Sequence, residues 1–469
     1  MQRINHLYKL LFIFFISACT VGKEYQRPTV QLPETFQDSV TASDSGIAAM
    51  EWRTFFKDPT LIDLIDTALS NSYDLQLAVK HIEETEAYIK QAKMNYVPSV
   101  DVAATALTTN PSNNSLNGKN LESFIGQNHV EDYTLNAAVS WDVYSWGKIK
   151  LQKEAALADY LASYEGAKTV RTTLVAEIAT GYYNLLMLDE QLAIAQKNLA
   201  LTDSLVRMMQ LQKAAGQVTE LAVQQTEVQK QTAALLIPQL EQQVAIQENA
   251  IKILSGKLPA KISRNADINS MYVWDDLSTG LPAALLSRRP DVRQSEMELM
   301  KANANVGVAK ASMYPSLNIT ASGGLNAFKS NAWFSIPASL FFSAGASIAQ
   351  PVLQHRNLKT KYEVSAIHRD EAVITFRQTV LKAGGEVVNA LVQLDKLKAQ
   401  QQISSNRVDT LHKAIGNATL LFRSGLADYL EVLTAQSNSL SAELTLADIQ
   451  RQRLSAAVEL YRALGGGWK

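Results

Sequence analysis

The chain has 469 residues, and its 44 Lys and Arg against 45 Asp and Glu give a formal net charge of −1. That length supplies ample material for a large core, and the neutral balance argues against nucleic acid as a partner. One cysteine, Cys19, excludes an internal disulfide and a thiolate cluster, and the six histidines lack metal-ligand spacing. No metal and no cofactor is expected.

Residues 1–18 read as a signal peptide. Arg3 and Lys9 are basic, and Leu10 to Ile16 is an apolar run too short to span a bilayer as a helix. Ser17 and Ala18 are small residues directly before Cys19. A small-residue site ending on cysteine resembles the bacterial lipoprotein box (lipobox), which implies cleavage between Ala18 and Cys19 and an S-diacylglyceryl group and an N-palmitoyl chain on Cys19. An ordinary signal peptide with an incidental cysteine is the alternative. Thr20, where inner-membrane lipoproteins of the enteric type carry aspartate, favours the outer membrane. Residues 19–58 then form a lipid-anchored tether.

The rest of the chain contains itself twice. Asp74 and Pro98 are 24 residues apart, as are Asp291 and Pro315, at an offset of 217. Asp142-Val143-Tyr144 and Pro351-Val352-Leu353 repeat at an offset of 209, as do Gly216 and Gly425, and Ser255-Gly256 and Leu464-Gly465. One loop between Pro98 and Asp142 is therefore eight residues longer than its counterpart. Units this long are not solenoid repeats. The expected division is a first repeat over 59–256, a linker over 257–280, a second repeat over 281–465 and a tail over 466–469.

Each repeat reads helix, strand, loop, strand, very long helix, turn, helix. In the first, a helix over Leu61 to Asn95 ends before Pro98. A β-hairpin follows over 97–144, its strands separated by a polar loop from Asn110 to His129. A proline-free helix over 148–213 then runs to the stop at Gly216, about 100 Å at 1.5 Å per residue. A return helix over 218–255 is kinked by Pro238. The second repeat has a short helix over Asp291 to Tyr314, a hairpin over 314–350, a long helix over 357–423 and a return helix over 427–464. The short helices are expected to stack end to end with the return helices. Leu174, Ile178, Gly181, Leu185, Leu188, Leu192, Ala195 and Leu199 alternate steps of four and three, as do Val373, Phe376, Val380, Ala383, Val387, Ala390, Leu394 and Leu397. These are coiled-coil seams.

The hairpins alternate strictly: Val100, Val102 and Ala104 against Ser99, Asp101 and Ala103, then Leu317, Ile319 and Ala321 against Ser316, Asn318 and Thr320. Such strands fit a half-buried soluble sheet or a membrane barrel with a wet lumen. The signal peptide and the aromatics near the strand ends (Tyr133, Trp141, Trp333, Phe334) favour the second. Four strands cannot close a barrel, and an open edge is not viable in lipid. Several copies must share one barrel: two would give eight strands, three would give twelve.

Several segments now carry a resemblance: Arg288-Arg289-Pro290-Asp291-Val292-Arg293, Ala302-Asn303-Ala304-Asn305-Val306-Gly307, Tyr314-Pro315-Ser316-Leu317, Phe422-Arg423-Ser424-Gly425-Leu426-Ala427-Asp428-Tyr429-Leu430-Glu431, and the ending Leu460 to Trp468. The whole chain resembles the TolC-like outer-membrane factors, in the lipoprotein branch that serves RND efflux pumps (OprM/NodT type). The resemblance implies a mainly α fold with membrane β: an internally duplicated coiled-coil α-barrel, with four β-strands per chain completing a trimeric twelve-stranded outer-membrane β-barrel. It implies a homotrimeric exit duct embedded in outer-membrane lipid and extending into the periplasm. There it docks through a periplasmic adaptor to an inner-membrane RND transporter. The chain departs from the family pattern at Thr434, where an acid is usual, and at Gln354-His355-Arg356, where Asp-Gly-Gly is usual.

No Gly-x-Ser-x-Gly, His-Glu-x-x-His or phosphate loop is present, so no enzyme is expected. Met208-Met209 fit the seam better than a copper site. Asp58, Asp63 and Asp66 fit a helix start and a solvated face. At the periplasmic entrance the expected gate residues are Glu431 and Asp428, three apart on one helix face, with Arg423 as a restraining partner. The alternative is an acidic pair favoured by the helix dipole alone. A type I protein-secretion duct is the nearest rival function, which the lipobox and the Arg-Arg-Pro-Asp segment disfavour. A non-conducting lipid-anchored coiled-coil protein is a more distant rival.

Overall fold

The computed structural model describes residues 21–29, 47, 50–271 and 285–468. The signal segment, Cys19 and most of the tether lie outside the described residues. The helices and strands, in chain order, are α1 Trp52–Phe55, α2 Pro59–Asn71, α3 Tyr73–Met94, β1 Ser99–Thr109, α4 Leu116–Ile125, β2 Val130–Tyr144, α5 Lys148–Ala214, α6 Glu220–Leu254, α7 Leu285–Arg288, α8 Pro290–Ala311, β3 Ser316–Ala327, β4 Leu340–Ala349, α9 Asn357–Arg423 and α10 Tyr429–Ala463. Helices α5 and α9 have 67 residues each, and α6 and α10 have 35 each. Among the described residues no helix is long and apolar enough to cross a membrane.

The chain divides into two compact units. The first comprises residues 1–28, 83–161 and 297–374 and contains one antiparallel sheet in the order β1-β2-β3-β4. Its register places Val100 opposite Val139, Val139 opposite Ala321, and Ala321 opposite Ala344. Apolar residues thus meet apolar residues across all four strands, as the alternation predicts. The polar loop between β1 and β2 contains a helix that periodicity did not reveal. Ser115 Oγ accepts the Gly118 N–H at 3.1 Å and so caps α4. A Cβ at Gly118 would lie 2.2 Å from Ser112 O, so the turn into α4 admits only glycine.

The strand-to-helix joints repeat too. Trp146 and Gly147 have φ of 53° and 79°, and His355 and Arg356, 209 residues on, have 49° and 63°. The unusual His355-Arg356 therefore occupies a left-handed turn that glycine would adopt without strain. After the second joint, Arg356 pairs with Glu363 at 3.1 Å. Within the same unit the segment after Cys19 is docked: Asn303 Nδ2 donates to Lys23 O at 3.1 Å. Here a Cβ on Gly22 would lie 2.8 Å from Leu151 Cδ2.

The second unit comprises residues 29–82, 162–296 and 375–469. Its core is the predicted seam: Leu174, Ile178, Leu185, Leu188 and Ala195 are at most 4% exposed, as are Phe376, Val380, Ala383, Val387, Ala390 and Leu397. Leu192, Leu199 and Leu394 are half-buried, as is Val373, the seam position that falls in the first unit. The expected helix from Leu61 to Asn95 is instead broken at Ser72, whose ψ of 130° is extended. The break lets a second chain segment approach. Gly256, just past α6, has φ of 67°, and a Cβ there would lie 2.3 Å from Asn71 O. Gly465, just past α10, has φ of 90° and would bring a Cβ to 3.0 Å from Arg288 O, beside the α7–α8 break. In both halves the return helix ends against the break in the preceding short helices, as end-to-end stacking requires. Pro238 lies inside α6, which continues through it.

Asp58 is the N-cap of α2, accepting from Thr60 N at 2.7 Å and Leu61 N at 3.1 Å. It also accepts from Tyr182 Oη at 3.1 Å. Burial, followed by the Asp58 charge, pushes the Tyr182 phenol well above its ordinary range. Asp66 pairs with Arg53 on the solvated face, as read.

Candidate functional site: sheet faces and helical turns

The sheet has two chemically opposite faces. One presents Asp101 and Thr105 on β1, Asn136, Ser140 and Asp142 on β2, Asn318, Thr320 and Ser322 on β3, and Ser343 and Ser347 on β4. Register aligns them: Ser140 lies opposite both Ser99 and Thr320, and Asn318 lies opposite both Asp142 and Ser347. The four strand sequences contain acids but no Lys or Arg. The other face presents Val100 at 62% exposure, Val102 at 74%, Phe342 at 77% and Ile348 at 73%. Apolar exposure on this scale marks a surface meant for lipid or a partner. Among the described residues the outer edges of β1 and β4 have no pairing strand.

The second feature lies where the long helices turn, wholly within the second unit. Gly216 and Gly425 have φ of 76° and 72°. Each closes a Schellman turn: Gln217 N donates to Gln212 O, and Leu426 N to Leu421 O, both at 2.9 Å. Leu205, Met209, Ala222 and Val432 form one buried cluster joining both turns, with Met208, Phe422 and Tyr429 packed on it. The two methionines are seam residues, as expected. Asp428 is the N-cap of α10 but makes no side-chain capping bond, and Glu431 lies in its first turn. Arg423, Asp428 and Glu431 are all exposed. Among the described residues no ion pair joins Arg423 to either acid. Thr434, where the family pattern has an acid, donates to Leu430 O at 2.7 Å.

Other polar ties at these turns escaped the sequence reading. Tyr429 Oη donates to Gln225 Oε1, which links the start of α10 to α6. Asp203 accepts from Lys230 at 2.9 Å and Arg207 at 2.8 Å, and these partners hold it below the ordinary carboxylate range. Lys213 pairs with Glu220 across the Gly216 turn.

Two arginine clamps sit farther along the second unit. Arg264 reaches Asp189 at 2.5 Å and Glu248 at 2.5 Å, and Glu248 also accepts Ile262 N at 3.1 Å. These bonds fix the segment that follows α6 onto α5 and α6. Arg289, of the Arg-Arg-Pro-Asp segment, is 4% exposed. It pairs with Asp291 at 2.6 Å and Glu386 at 2.9 Å, and it donates to Ala463 O at 3.0 Å. Arg462 adds a bond to Glu386 at 3.2 Å.

A sheet with one polar and one apolar face, joined to two very long helical hairpins, defines the class of outer-membrane ducts. The outer membrane efflux protein family model matches residues 64–257 and 281–466, and the chain belongs to that family. It is 27% identical over 467 residues to the probable outer membrane lipoprotein SilC of Salmonella typhimurium, covering 97% of each chain. It is 29% identical over 473 residues to the cation efflux system protein CusC of Escherichia coli K12, covering 96% of this chain and 97% of the relative. Among solved structures, the outer-membrane channel OprN matches with a TM-score of 0.87 and 25% identity, over 96% of this chain and 100% of that one. The open state of the Neisseria gonorrhoeae channel MtrE matches at 0.85 and 25%, over 96% and 99%. The protein is an outer-membrane efflux duct. Its relatives are efflux channels rather than enzymes.

Proposed function

We propose that the chain works as the homotrimeric exit duct of a tripartite RND-type pump. In this assembly the apolar sheet face meets outer-membrane lipid and the polar face lines the lumen. The observation that carries the reading is a four-stranded, two-faced sheet with both edges open, which three copies close into twelve strands. A second observation supports it. Helix α6 exposes Leu221, Val228, Leu235, Ile246 and Ile253 at 58–62%, and α9 exposes Ile374 at 66% and Leu381 at 67%. Their steps of seven and eleven form unused seams suited to helices of a neighbouring copy. The long hairpins then dock a periplasmic adaptor, and transport energy comes from the inner-membrane partner. The mass of the detergent-solubilised protein tests the assembly: three copies are expected, and a monodisperse monomer that still conducts defeats it.

Cys19 is proposed as the acylated mature N-terminus. Acyl chains on three subunits add strong anchoring to a barrel that already spans the membrane. Cys19→Ala is therefore expected to impair sorting more than folding. Mass spectrometry of the N-terminal peptide checks it, and an unmodified Cys19 defeats it.

At the entrance, Glu431 is proposed to form a three-fold carboxylate ring, with Asp428 beside it. Charged rings set ion selectivity. Glu431→Gln is expected to reduce cation preference and to weaken block by divalent cations from the periplasmic side in planar bilayers. Unchanged selectivity and block leave only the helix-dipole explanation for these acids.

A further inference from the structure

The internal duplication allows the two halves of the second unit to be compared position by position, and one place differs in kind. In the first repeat, Lys230 of α6 reaches Asp203 of α5 at 2.9 Å and Glu227 at 3.9 Å, and Arg207 reaches Asp203 at 2.8 Å. Each acid there has a cation beside it. At the offset of 209, Lys230 becomes Ser439, Arg207 becomes Gly416, Asp203 becomes His412 and Glu227 becomes Gln436. Both cations are gone. The acid at this place is a new one, Glu443 of α10, which stands where α6 has Ala234.

The second repeat has a cavity of about 160 Å³ here, lined from three helices by Asn198 of α5, His412 of α9, and Gln436, Ser439 and Glu443 of α10. Ser439 Oγ donates to Glu443 Oε1 at 2.8 Å, and His412 Nε2 lies 2.8 Å from the same oxygen. Gln436 is 7% exposed, and its Oε1 is buried with no hydrogen-bond partner among the described residues. Asn198 Oδ1 is buried without a partner too. Buried acceptors without a donor are uncommon because they cost stability. Two of them at one cavity call for a donor or a cation. Lys197 also lines the cavity, from an exposed position. It does not cancel the negative charge nearby: burial, then the charge of Asp267 and that of Glu443, hold the Glu190 carboxyl above its ordinary range even with Lys197 in reach.

We propose that this cavity binds a divalent first-row cation of the Zn²⁺ type, in the place that the Lys230 ammonium fills in the first repeat. The donors are His412 Nε2, the Glu443 carboxylate, and the carbonyl oxygens of Asn198 and Gln436. An imidazole with a carboxylate suits Zn²⁺ and its neighbours, whereas Ca²⁺ and Mg²⁺ take sets made of oxygen alone. The His412 side chain is 46% exposed, which gives the ion a way in and leaves room for water on it. Among the described residues no three of His, Cys, Asp or Glu gather to hold a metal, so binding here depends on the two amide oxygens. Spacing along the sequence does not reveal the site, because its donors come from three helices. The ion ties α5 to α9 and α10 inside one chain, so the site needs neither a neighbouring copy nor transport.

Calorimetric titration of the chelator-stripped, detergent-solubilised protein with Zn²⁺ tests this. One ion per chain is expected at the site, with an unfolding midpoint that rises as Zn²⁺ is added. His412→Ala and Glu443→Gln are each expected to weaken binding by about tenfold or more. Ser439→Lys restores the arrangement of the first repeat, so it is expected to fold and to lose the Zn²⁺ site, its own ammonium taking the place of the ion. Co²⁺ gives a spectroscopic check: native protein is expected to show visible absorption from a ligated Co²⁺ that His412→Ala loses. Equal Zn²⁺ affinity in native protein and His412→Ala overturns the proposal. So does a folded Ser439→Lys that still binds, and if that variant does not fold, His412→Ala and Glu443→Gln decide alone. A native protein that binds no Zn²⁺ leaves the cavity to water and overturns it as well. Ca²⁺ that binds as tightly as Zn²⁺ overturns the choice of cation.

Discussion

Ala137→Arg is expected to abolish assembly in the outer membrane, whereas Ala138→Arg, the next residue on β2, is expected to leave the trimer assembled and lower its conductance. The substitution is the same in both cases, so only the direction of the side chain differs. Ala137 lies opposite Val102 and Gly323, on the face that carries Val139 and Phe342. It is also the eighth residue of the fifteen in β2. An arginine on the lipid face near the bilayer midplane costs about 2–4 kcal/mol per chain, and a trimer incurs it three times. Ala138 lies opposite Asp101 and Ser322. An arginine there stands in water beside a carboxylate and costs little, but it adds three positive charges to a lumen whose strands carry none. The measurements are heat-resistant trimer in outer-membrane fractions and single-channel conductance. Equal behaviour of the two variants would refute the assignment of faces.

The alternation of β1 to β4 and the seams of α5 and α9 were legible in the sequence because each obeys a period imposed by a buried or lipid-facing surface. The Gly216 and Gly425 turns were legible because a left-handed residue has few chemical solutions. The features that were not legible depend on contacts between distant parts of the chain. Ser72 breaks a helix in which the apolar period runs on, because Gly256 must approach Asn71. Helix α4 is only ten residues long and sits inside a polar stretch, and its start is set by Ser115 and the tight turn at Gly118, so in sequence it reads as part of a loop. Arg289 stood out within the Arg-Arg-Pro-Asp segment, but its partners Glu386 and Ala463 are 97 and 174 residues away. For the tie between Tyr429 and Gln225, the duplication itself was the available signal. At the offset of 209, Gln225 is the counterpart of Thr434, the very place where the family pattern has its acid.

Arg289→Ala is expected to destabilise the second unit by about 3–5 kcal/mol. The guanidinium is 4% exposed and bonds three groups at once: Asp291, Glu386 and the Ala463 carbonyl at the end of α10. Its removal leaves two acids facing each other without their shared cation and a helix C-terminal carbonyl without its donor. Arg462, at 3.2 Å from Glu386, offsets part of this, which places the loss toward the lower end. Arg289→Lys keeps the charge but not the planar fork, so its effect is intermediate. The pH dependence provides a second check. Burial works against the Asp291 carboxylate, yet the bond and charge of Arg289 hold it below the ordinary value for an aspartate. A depressed acid of this kind contributes stability that is complete above the unfolded value of about 3.9 and is lost as pH falls through the folded value. Native protein should therefore weaken steadily below about pH 4, and Arg289→Ala, with that shift removed, should weaken less steeply over the same range. Urea midpoints at pH 7 and across pH 4 to 2.5 measure both effects. A variant as stable as the native protein at pH 7, or one with the same acid slope, would mean that the clamp contributes nothing to holding α8, α9 and α10 together.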